Sequence, residues 1–316
     1  MDDVYEILKK RLGEKKLQNR LIRQVNHSSD IISYEHINIE NFSVIFRLGR
    51  YLLKAFNSYD SGYRNALDIQ INHNQIVLRK LPKEFRNYKI LHLSDLHIDG
   101  NPLLLQNLAD KLQNLDYDIC VLTGDFRYRT SGELQPVINS MEELLPYINK
   151  GKDGILAVLG NHDFIEIVPL LEKLGIEFLI NEHKIIYQQK TPLCFVGLDD
   201  QHFYRNADIN EALPQHHNNL CKILLIHSPE YISQANSKMV DLYLCGHTHG
   251  GQICWPDGKP IFMNARAKNI FCRGNWHYEE MKGYTSNGCG CSGMNIRFNC
   301  PPEITIHHLI PNNSVD

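Results

Sequence analysis

Ile90-Leu91-His92-Leu93 runs straight into Ser94-Asp95-Leu96-His97, so a short, mainly apolar strand ends on a carboxylate and an imidazole two residues apart. Outward along the chain the same event recurs. Ile119-Cys120-Val121-Leu122 ends at Thr123-Gly124-Asp125, and Ile155-Leu156-Ala157-Val158-Leu159 ends at Gly160-Asn161-His162-Asp163. Ile223-Leu224-Leu225-Ile226 ends at His227, and Leu242-Tyr243-Leu244-Cys245 ends at Gly246-His247-Thr248-His249. Further strands are predicted over 69–78, 193–198 and 303–309, and helices over 102–115 and 133–149. Short apolar strands alternating with helices predict an α/β fold. Loops beyond the ends of such strands gather functional groups, because the rigid strand fixes their geometry.

Each motif alone has an ordinary reading. An Asp-x-His pair arises by chance, a Gly-Asp after a strand is a turn, and Asn-His-Asp caps a helix. Five such endings in order are not coincidence. Asp95, His97, Asp125, Asn161, His162, His227, His247 and His249 mix oxygen and imidazole donors. That mixture suits Mn, Fe or Zn better than Ca or Mg alone. No cysteine stands among them, which argues against a structural zinc knot.

The 316 residues include 33 Lys and Arg against 36 Asp and Glu, a net charge of −3. Nothing there resembles the basic excess of a dedicated nucleic-acid binder. Nine cysteines are too sparse and too odd in number for a disulfide scaffold. The acidic start Met1-Asp2-Asp3 has no apolar core behind it, so a secretory signal is not expected. No run reaches the ~18 apolar residues of a membrane span. Thiols without a signal point to the cytoplasm. Residues 1–60 read as a helical extension, distinct from a unit over 61–316. Residues 1–23 hold seven cations against four acids, and Phe42–Phe56 is apolar except for Arg47, Arg50 and Lys54 on one face. Such a segment either lies in a membrane interface, on the inner face of the cytoplasmic membrane, or packs on the main domain. Asn57–Gly62 reads as a linker.

In this order, Ser94-Asp95-Leu96-His97, Gly124-Asp125, Gly160-Asn161-His162-Asp163, His227 and Gly246-His247-Thr248-His249 resemble the full signature of the calcineurin-like metallophosphoesterases, over roughly residues 68–310. The resemblance implies a four-layer αββα sandwich of two mixed sheets with helices outside. It implies two divalent metal ions, with Mn²⁺ the first expectation and Fe or Zn the alternatives. Asp95, His97, Asp125 and His249 would surround one metal. Asp125, Asn161, His227 and His247 would surround the other, with Asp125 shared. His162 would stay unmetallated and face the substrate, as acid or as a cationic phosphoryl contact. Two metals bring +4 and the two aspartates −2, an excess that attracts phosphate and, through a shared, acidified water, hydrolyses it.

The substrate is narrowed by departures from neighbouring branches. Phe126-Arg127-Tyr128-Arg129 after Asp125 is unlike a protein phosphatase. Ile76-Val77-Leu78-Arg79-Lys80-Leu81-Pro82, Gly246–Ile253, the run Gly288-Cys289-Gly290-Cys291-Ser292-Gly293 with Arg297, and Pro301-Pro302-Glu303 resemble a bacterial phosphodiesterase branch. Some of its members take UDP-2,3-diacylglucosamine in lipid A synthesis, releasing UMP and lipid X. The expected substrate is therefore a phosphorylated small molecule or lipid, met in part at a membrane surface, and no nucleic acid. A soluble nucleotide or general phosphodiesterase is the alternative, and a non-catalytic scaffold a remote one. Arg297 is expected to contact substrate phosphate or to brace a turn. The glycine-rich backbone around Cys289 and Cys291 is expected to line the rim of the site, Trp255-Pro256 its wall or a packing position, with Asp99 and Asp163 as orienting or capping groups, and His216-His217 and His307-His308 on the surface or in strands.

Overall fold

The computed structural model describes residues 2–29, 32–33, 36–37, 49–51 and 53–312. The start of the expected Phe42–Phe56 segment, Arg47 included, lies outside them. Helices α1 (Asp2–Leu12) and α2 (Glu14–Ser29) open the chain, parted by Gly13 at φ 78°. A two-stranded ribbon pairs β1 (Ile32–Ser33) with β2 (His36–Ile37). The remaining strands are β3 (Gln70–Leu78), β4 (Lys89–Leu93), β5 (Ile119–Leu122), β6 (Ile155–Ala157), β7 (Ile176–Phe178), β8 (Glu182–Gln188) and β9 (Thr191–Gly197). They continue with β10 (Lys222–Leu225), β11 (Leu242–Cys245), β12 (Gly274–Tyr278), β13 (Met281–Thr285) and β14 (Glu303–Pro311).

Two six-stranded mixed sheets result, in the orders β3-β14-β4-β5-β6-β7 and β12-β13-β11-β10-β9-β8. Their interior strands are buried on both faces, which is why they read as unbroken apolar runs. Ile90, Ile119, Val121 and Leu156 point between the sheets and meet Phe195, Ile223, Leu225 and Leu242 from the opposite sheet. Leu91, Leu93, Cys120 and Leu122 point outward and pack with Leu108, Leu112 and Leu144 of the Leu104–Leu112 and Gln135–Ile148 helices. Val196, Leu224, Ile226 and Tyr243 pack outward under Ile232 and Ala235 of the Ile232–Ser237 helix. The layers are helix, sheet, sheet, helix, as the resemblance implied.

Strands β4, β5 and β6 are mutually parallel, and so are β9, β10 and β11. Their C-terminal ends deliver all five motifs to one edge of the sandwich. The expected linker is instead the start of a helix, Tyr59–Asn65, and the expected boundary at residue 60 falls inside it. Gly62 allows that helix to lie close: a Cβ there would come 2.7 Å from the Phe298 ring. The first two helices take the packing alternative. Arg11 pairs with Glu172 and Glu182, Lys16 with Glu211, and Arg20 with Asp199, so much of the basic surplus is used on the domain itself. No helix among the described residues is long and apolar enough to cross a membrane.

Candidate metal centre

The site is assembled from five strand ends under backbone strain. Asp95, His97, Asp125, His247 and His249 all have φ between 40° and 71°, the left-handed region that non-glycine residues seldom adopt. Close approach of the loops explains the glycines before the motifs. A Cβ on Gly160 would stand 2.1 Å from Asp125 Oδ1, and one on Gly246 would stand 2.2 Å from Asp95 Oδ2.

The eight sequence-selected residues converge and are nearly or fully buried. Four groups of donor atoms form among the described residues: Asp95 with His97 and His249, Asp125 with His227 and His247, Asp125 with His97 and His162, and His247 with His202 and Glu230. Asp125 Oδ2 lies between the first two, 3.3 Å from His227 Nε2 and 3.6 Å from His97 Nε2. His97 and His249 face each other through Nε2 at 3.2 Å, and His249 Nε2 is 3.4 Å from Asp95 Oδ1. Asn161 Oδ1 is 3.1 Å from His227 Nε2. The backbone N–H of His247 donates to both carboxylate oxygens of Asp95, at 3.1 and 3.0 Å, and the Ser94 hydroxyl donates to one of them at 2.6 Å.

The second nitrogen of the imidazoles fixes what the first can do. His97 Nδ1 donates to Arg127 O at 2.6 Å, His227 Nδ1 to Thr123 O at 2.7 Å, and His247 Nε2 to Asn264 O at 2.5 Å. A carbonyl only accepts, so each of those nitrogens carries the proton. The inward His227 Nε2 and His247 Nδ1, 3.2 Å apart, are then both lone pairs. With Asn161 Oδ1 and Asp125 Oδ2 they make four electron-pair donors around one point and no donor of hydrogen. Either a proton on His227 or a cation relieves that crowding, so the donor set fits a metal. His162 differs: its Nδ1 donates to Tyr128 O at 2.8 Å, and its Nε2 lies 3.9 Å from Asp125 Oδ2, at the pocket.

The charges follow from burial. Burial works to raise the Asp125 carboxyl, but His227, His162 and His97 override it and hold it well below the carboxylate range. Burial works to lower His227, and Asp125 overrides it, so His227 is held well above the usual imidazole range. Burial, helped by repulsion from Asp125, pushes Asp95 up to about 6. Burial and their cationic neighbours push His247 and His249 well down, which keeps them neutral and able to ligate.

Several expectations change. Arg297 does not reach into the pocket. It is fully buried, and its guanidinium donates to the carbonyls of His249, Asn287, Gly288, Gly290 and Cys300, so the turn-bracing role replaces the phosphate contact. Ser292 of the glycine-rich run lines the pocket as expected, and the backbone before it is tied to the Asp95 strand end. The Cys289 and Gly290 N–H groups donate to Ser94 O and Asp95 O at 2.9 and 2.8 Å, while the Cys289 and Cys291 thiols are buried. Trp255 is exposed and does not line the pocket; Ile253, Ile261, Phe262 and Met294 do. His307 and His308 keep their expected place in a strand, on opposite faces: His307 is buried between the sheets, 3.2 Å from His92, and His308 meets His73 on the other side.

Asp163 takes the orienting role expected of it, while His92 and His202 carry no signal in the sequence. Asp163 accepts the backbone N–H groups of Asp125, Phe126, Arg127 and Gly160 at 2.8 to 3.3 Å, so one carboxylate shapes two ligand loops. Its position in Asn-His-Asp hinted at an orienting role, though not at four bonds. His92 bonds Thr123 Oγ1 at 2.8 Å, next to the carbonyl that anchors His227. His202 stacks 4.0 Å from the His247 ring and is held by Glu230 at 2.8 Å; no local pattern marks it.

The calcineurin-like phosphoesterase family pattern matches residues 88–251. The chain is 31% identical over 258 residues to the uncharacterized metallophosphoesterase YkoQ of Bacillus subtilis, covering 78% of this chain and 92% of that protein. It is 30% identical over 236 residues to the phosphodiesterase YaeI of Escherichia coli, covering 71% and 82%. Among solved structures, the sulfate thiohydrolase SoxB of Thermus thermophilus superposes with a TM-score of 0.40 at 13% identity, over 73% of this chain and 57% of that one. The family match contains all five strand-end motifs, and the relatives align over most of both chains, so the chain belongs to the calcineurin-like metallophosphoesterases, a family of metal-dependent phosphoester hydrolases.

Proposed function

We propose that the chain is a two-metal phosphodiesterase or pyrophosphatase acting on a nucleotide-linked lipid such as UDP-2,3-diacylglucosamine. The observation that carries this reading is the pocket beside the centre. Its floor is polar, from Asp125, His162, His247 and His249, and one wall is apolar, from Ile253, Ile261, Phe262 and Met294. Ile261 and Phe262 are 54% and 52% exposed, a costly display unless something covers them. The cavity holds about 300 Å³, room for a phosphate and part of a sugar but not for two acyl chains. Acyl chains would lie outward across Ile261 and Phe262 and stay close to the bilayer. On this reading the protein works at the inner face of the cytoplasmic membrane, a reducing setting compatible with nine free, buried thiols.

Asp95, His97, Asp125 and His249 would hold one Mn²⁺, and Asp125, Asn161, His227 and His247 the other. Bound there, the metals supply positive charge against the phosphoryl oxygens and a water acidic enough to attack at neutral pH. The rest is done by this chain. His162, oriented by Tyr128 O, holds a proton at Nε2 for the leaving oxygen. Thr123, Arg127 and Asn264 carbonyls hold the imidazoles so that no reorganisation is needed on binding.

The test is Mn²⁺-dependent hydrolysis of UDP-2,3-diacylglucosamine beside bis-(p-nitrophenyl) phosphate. Release of UMP with a far higher kcat/KM than the simple diester is the expected result. Turnover of the simple diester alone would replace this reading with a general phosphodiesterase.

A further inference from the structure

Helix α2 reaches the metal centre from behind. Arg20 is 1% exposed. Its Nη2 donates to Asp163 O at 3.0 Å, its Nε lies 3.4 Å from Asp199 Oδ2, and its guanidinium stacks on the Tyr204 ring. One turn later Gln24 accepts the Ile165 N–H at 2.9 Å and donates to Glu166 at 2.8 Å. His27 stacks on Phe203 with ring centres 3.7 Å apart. Residues 20, 24 and 27 form one helical face.

That face is wedged between two loops from different sheets. The first, 161–166, follows β6 and carries Asn161, His162 and the Asp163 carboxylate that shapes the Asp125 turn. The second, 199–204, follows β9. Its Asp200 accepts the N–H groups of His202, Phe203 and Tyr204, and His202 packs on His247. Arg20 is a cation between them, hydrogen-bonded to one loop's backbone and ion-paired at 3.4 Å with the other's buried carboxylate. Loops from separate sheets share no ladder of hydrogen bonds, so their spacing depends on whatever bridges the seam.

We propose that α2 is part of the catalytic scaffold, with Arg20 and Gln24 as positioning residues that hold the Asn161–His162 loop in register with the His202–His247 contact across the two sheets. This rests on the two-metal reading for what the centre does.

The test uses full-length Arg20→Ala, Arg20→Lys, Gln24→Met and, as a control, Arg11→Ala, which loosens the docking of α1 at Glu172 and Glu182. The measurements are kcat and KM on bis-(p-nitrophenyl) phosphate at saturating Mn²⁺, Mn²⁺ affinity by titration calorimetry, and the melting temperature. Arg20→Ala is expected to lower kcat and weaken the second Mn²⁺ by about tenfold or more, with KM little changed, because sub-ångström misplacement acts on the reacting geometry. Arg20→Lys should recover part of the loss by restoring charge opposite Asp199. Arg11→Ala should melt earlier with kcat and affinity intact. Should Arg20→Ala fail to fold, Gln24→Met removes the two loop hydrogen bonds, from the Ile165 N–H and to Glu166, without taking away a buried cation, and a fall in kcat or Mn²⁺ affinity of at least about fivefold is expected, the equivalent of one net hydrogen bond. If the variants of Arg20 and Gln24 lose melting temperature alone, as Arg11→Ala does, the positioning role is overturned and α2 is simply glue. Absence of Mn²⁺ binding or turnover by the wild-type protein would instead defeat the two-metal reading.

Discussion

Asp163→Asn isolates the carboxylate that shapes two ligand loops. Asp163 Oδ2 takes the N–H groups of Asp125 and Gly160 at 2.8 and 2.9 Å, and Oδ1 takes those of Phe126 and Arg127 at 2.9 and 3.3 Å. Asparagine keeps one oxygen. Whichever side it occupies, two backbone donors then face an amide nitrogen that is itself a donor. Two charge-assisted bonds lost at ~1.5–3 kcal/mol each give ~3–6 kcal/mol. Titration of the wild-type group gives a smaller figure. Burial, with repulsion from Asp125, raises Asp163 to about 6, so protonating it at pH 7 costs only about 1.4 kcal/mol. Asparagine is worse than the neutral acid, because the acid places one rotatable hydrogen where the amide places two fixed ones. A value of about 3 kcal/mol lies between the two routes.

For a chain of 316 residues that corresponds to a fall of about 4–5 °C in melting temperature. The functional loss should be larger than the thermal one. The Asp125 turn sits at φ 57° and the His162 N–H donates to Asp125 Oδ1 at 2.9 Å, so slackening either loop moves the proposed shared ligand and the proposed proton donor together. Turnover should drop by about 100-fold at saturating Mn²⁺. Thermal melts followed by circular dichroism, calorimetric Mn²⁺ titration and initial rates on a diester read all three quantities. A variant that melts within 2 °C of wild type and binds Mn²⁺ equally well would refute the reasoning, since the four N–H groups would then be held by something else.

Replacing His162 by Ala should leave two metals per chain, measured by elemental analysis, and remove most turnover; full activity in the metal-replete variant would end its assignment as proton donor. Arg297→Met should strip hydrogen bonds from five carbonyls and destabilise by roughly 3–5 kcal/mol, with KM within about threefold of wild type. A raised KM without a thermal penalty would return Arg297 to the substrate. The pH dependence has a definite sign. Asp95 titrates near 6 in the metal-free fold against 3.8 as an ordinary carboxyl, so the folded state holds its proton more tightly. This group's contribution to metal-free stability is therefore present below pH 4 and declines as pH rises towards 6. Ligation needs the ionised form, so Mn²⁺ affinity should fall by about tenfold per unit below pH 6 and level off above 7. Affinity that is flat from pH 5 to 8 would contradict the placement of Asp95 at a metal.

The motifs and the interior strands were legible because a doubly buried parallel strand leaves an unbroken apolar run, and Asp95, Asp125 or His227 after such a run stands out. Edges were not. Strand β12, Gly274-Asn275-Trp276-His277-Tyr278, is half polar because one flank faces solvent, and its pattern matches a loop equally well. Arg20 lies in a helix whose neighbours are Gln, Asn, Leu and Ile, and its burial depends on Asp199, 179 positions away. Arg297 misled for a related reason. A cation in a glycine-rich run near a phosphate site invites a ligand role, while the five carbonyls that claim it come from loops brought together only in the fold. Local pattern reports which residues carry chemistry; it does not report which loops need bracing.

The bracing matters because the centre resists its own geometry. Five ligand candidates occupy left-handed backbone, each costing of order 1 kcal/mol or more. Without a metal, the proton that Asp125 holds on His227 is what lets the electron-pair donors of His247, Asn161 and Asp125 converge across 3.1 to 3.3 Å. Left alone, such loops would relax outward. Three anchors prevent it, each from a different direction: the Asp163 carboxylate within the first sheet, Arg297 under His249, and Arg20 across the seam. A site held open in this way accepts a cation by giving up the His227 proton, with the loops already in place. Metal and scaffold therefore stabilise the same conformation, so a variant that loosens one anchor and weakens Mn²⁺ binding should need a higher Mn²⁺ concentration than the wild-type protein to reach the same rise in melting temperature.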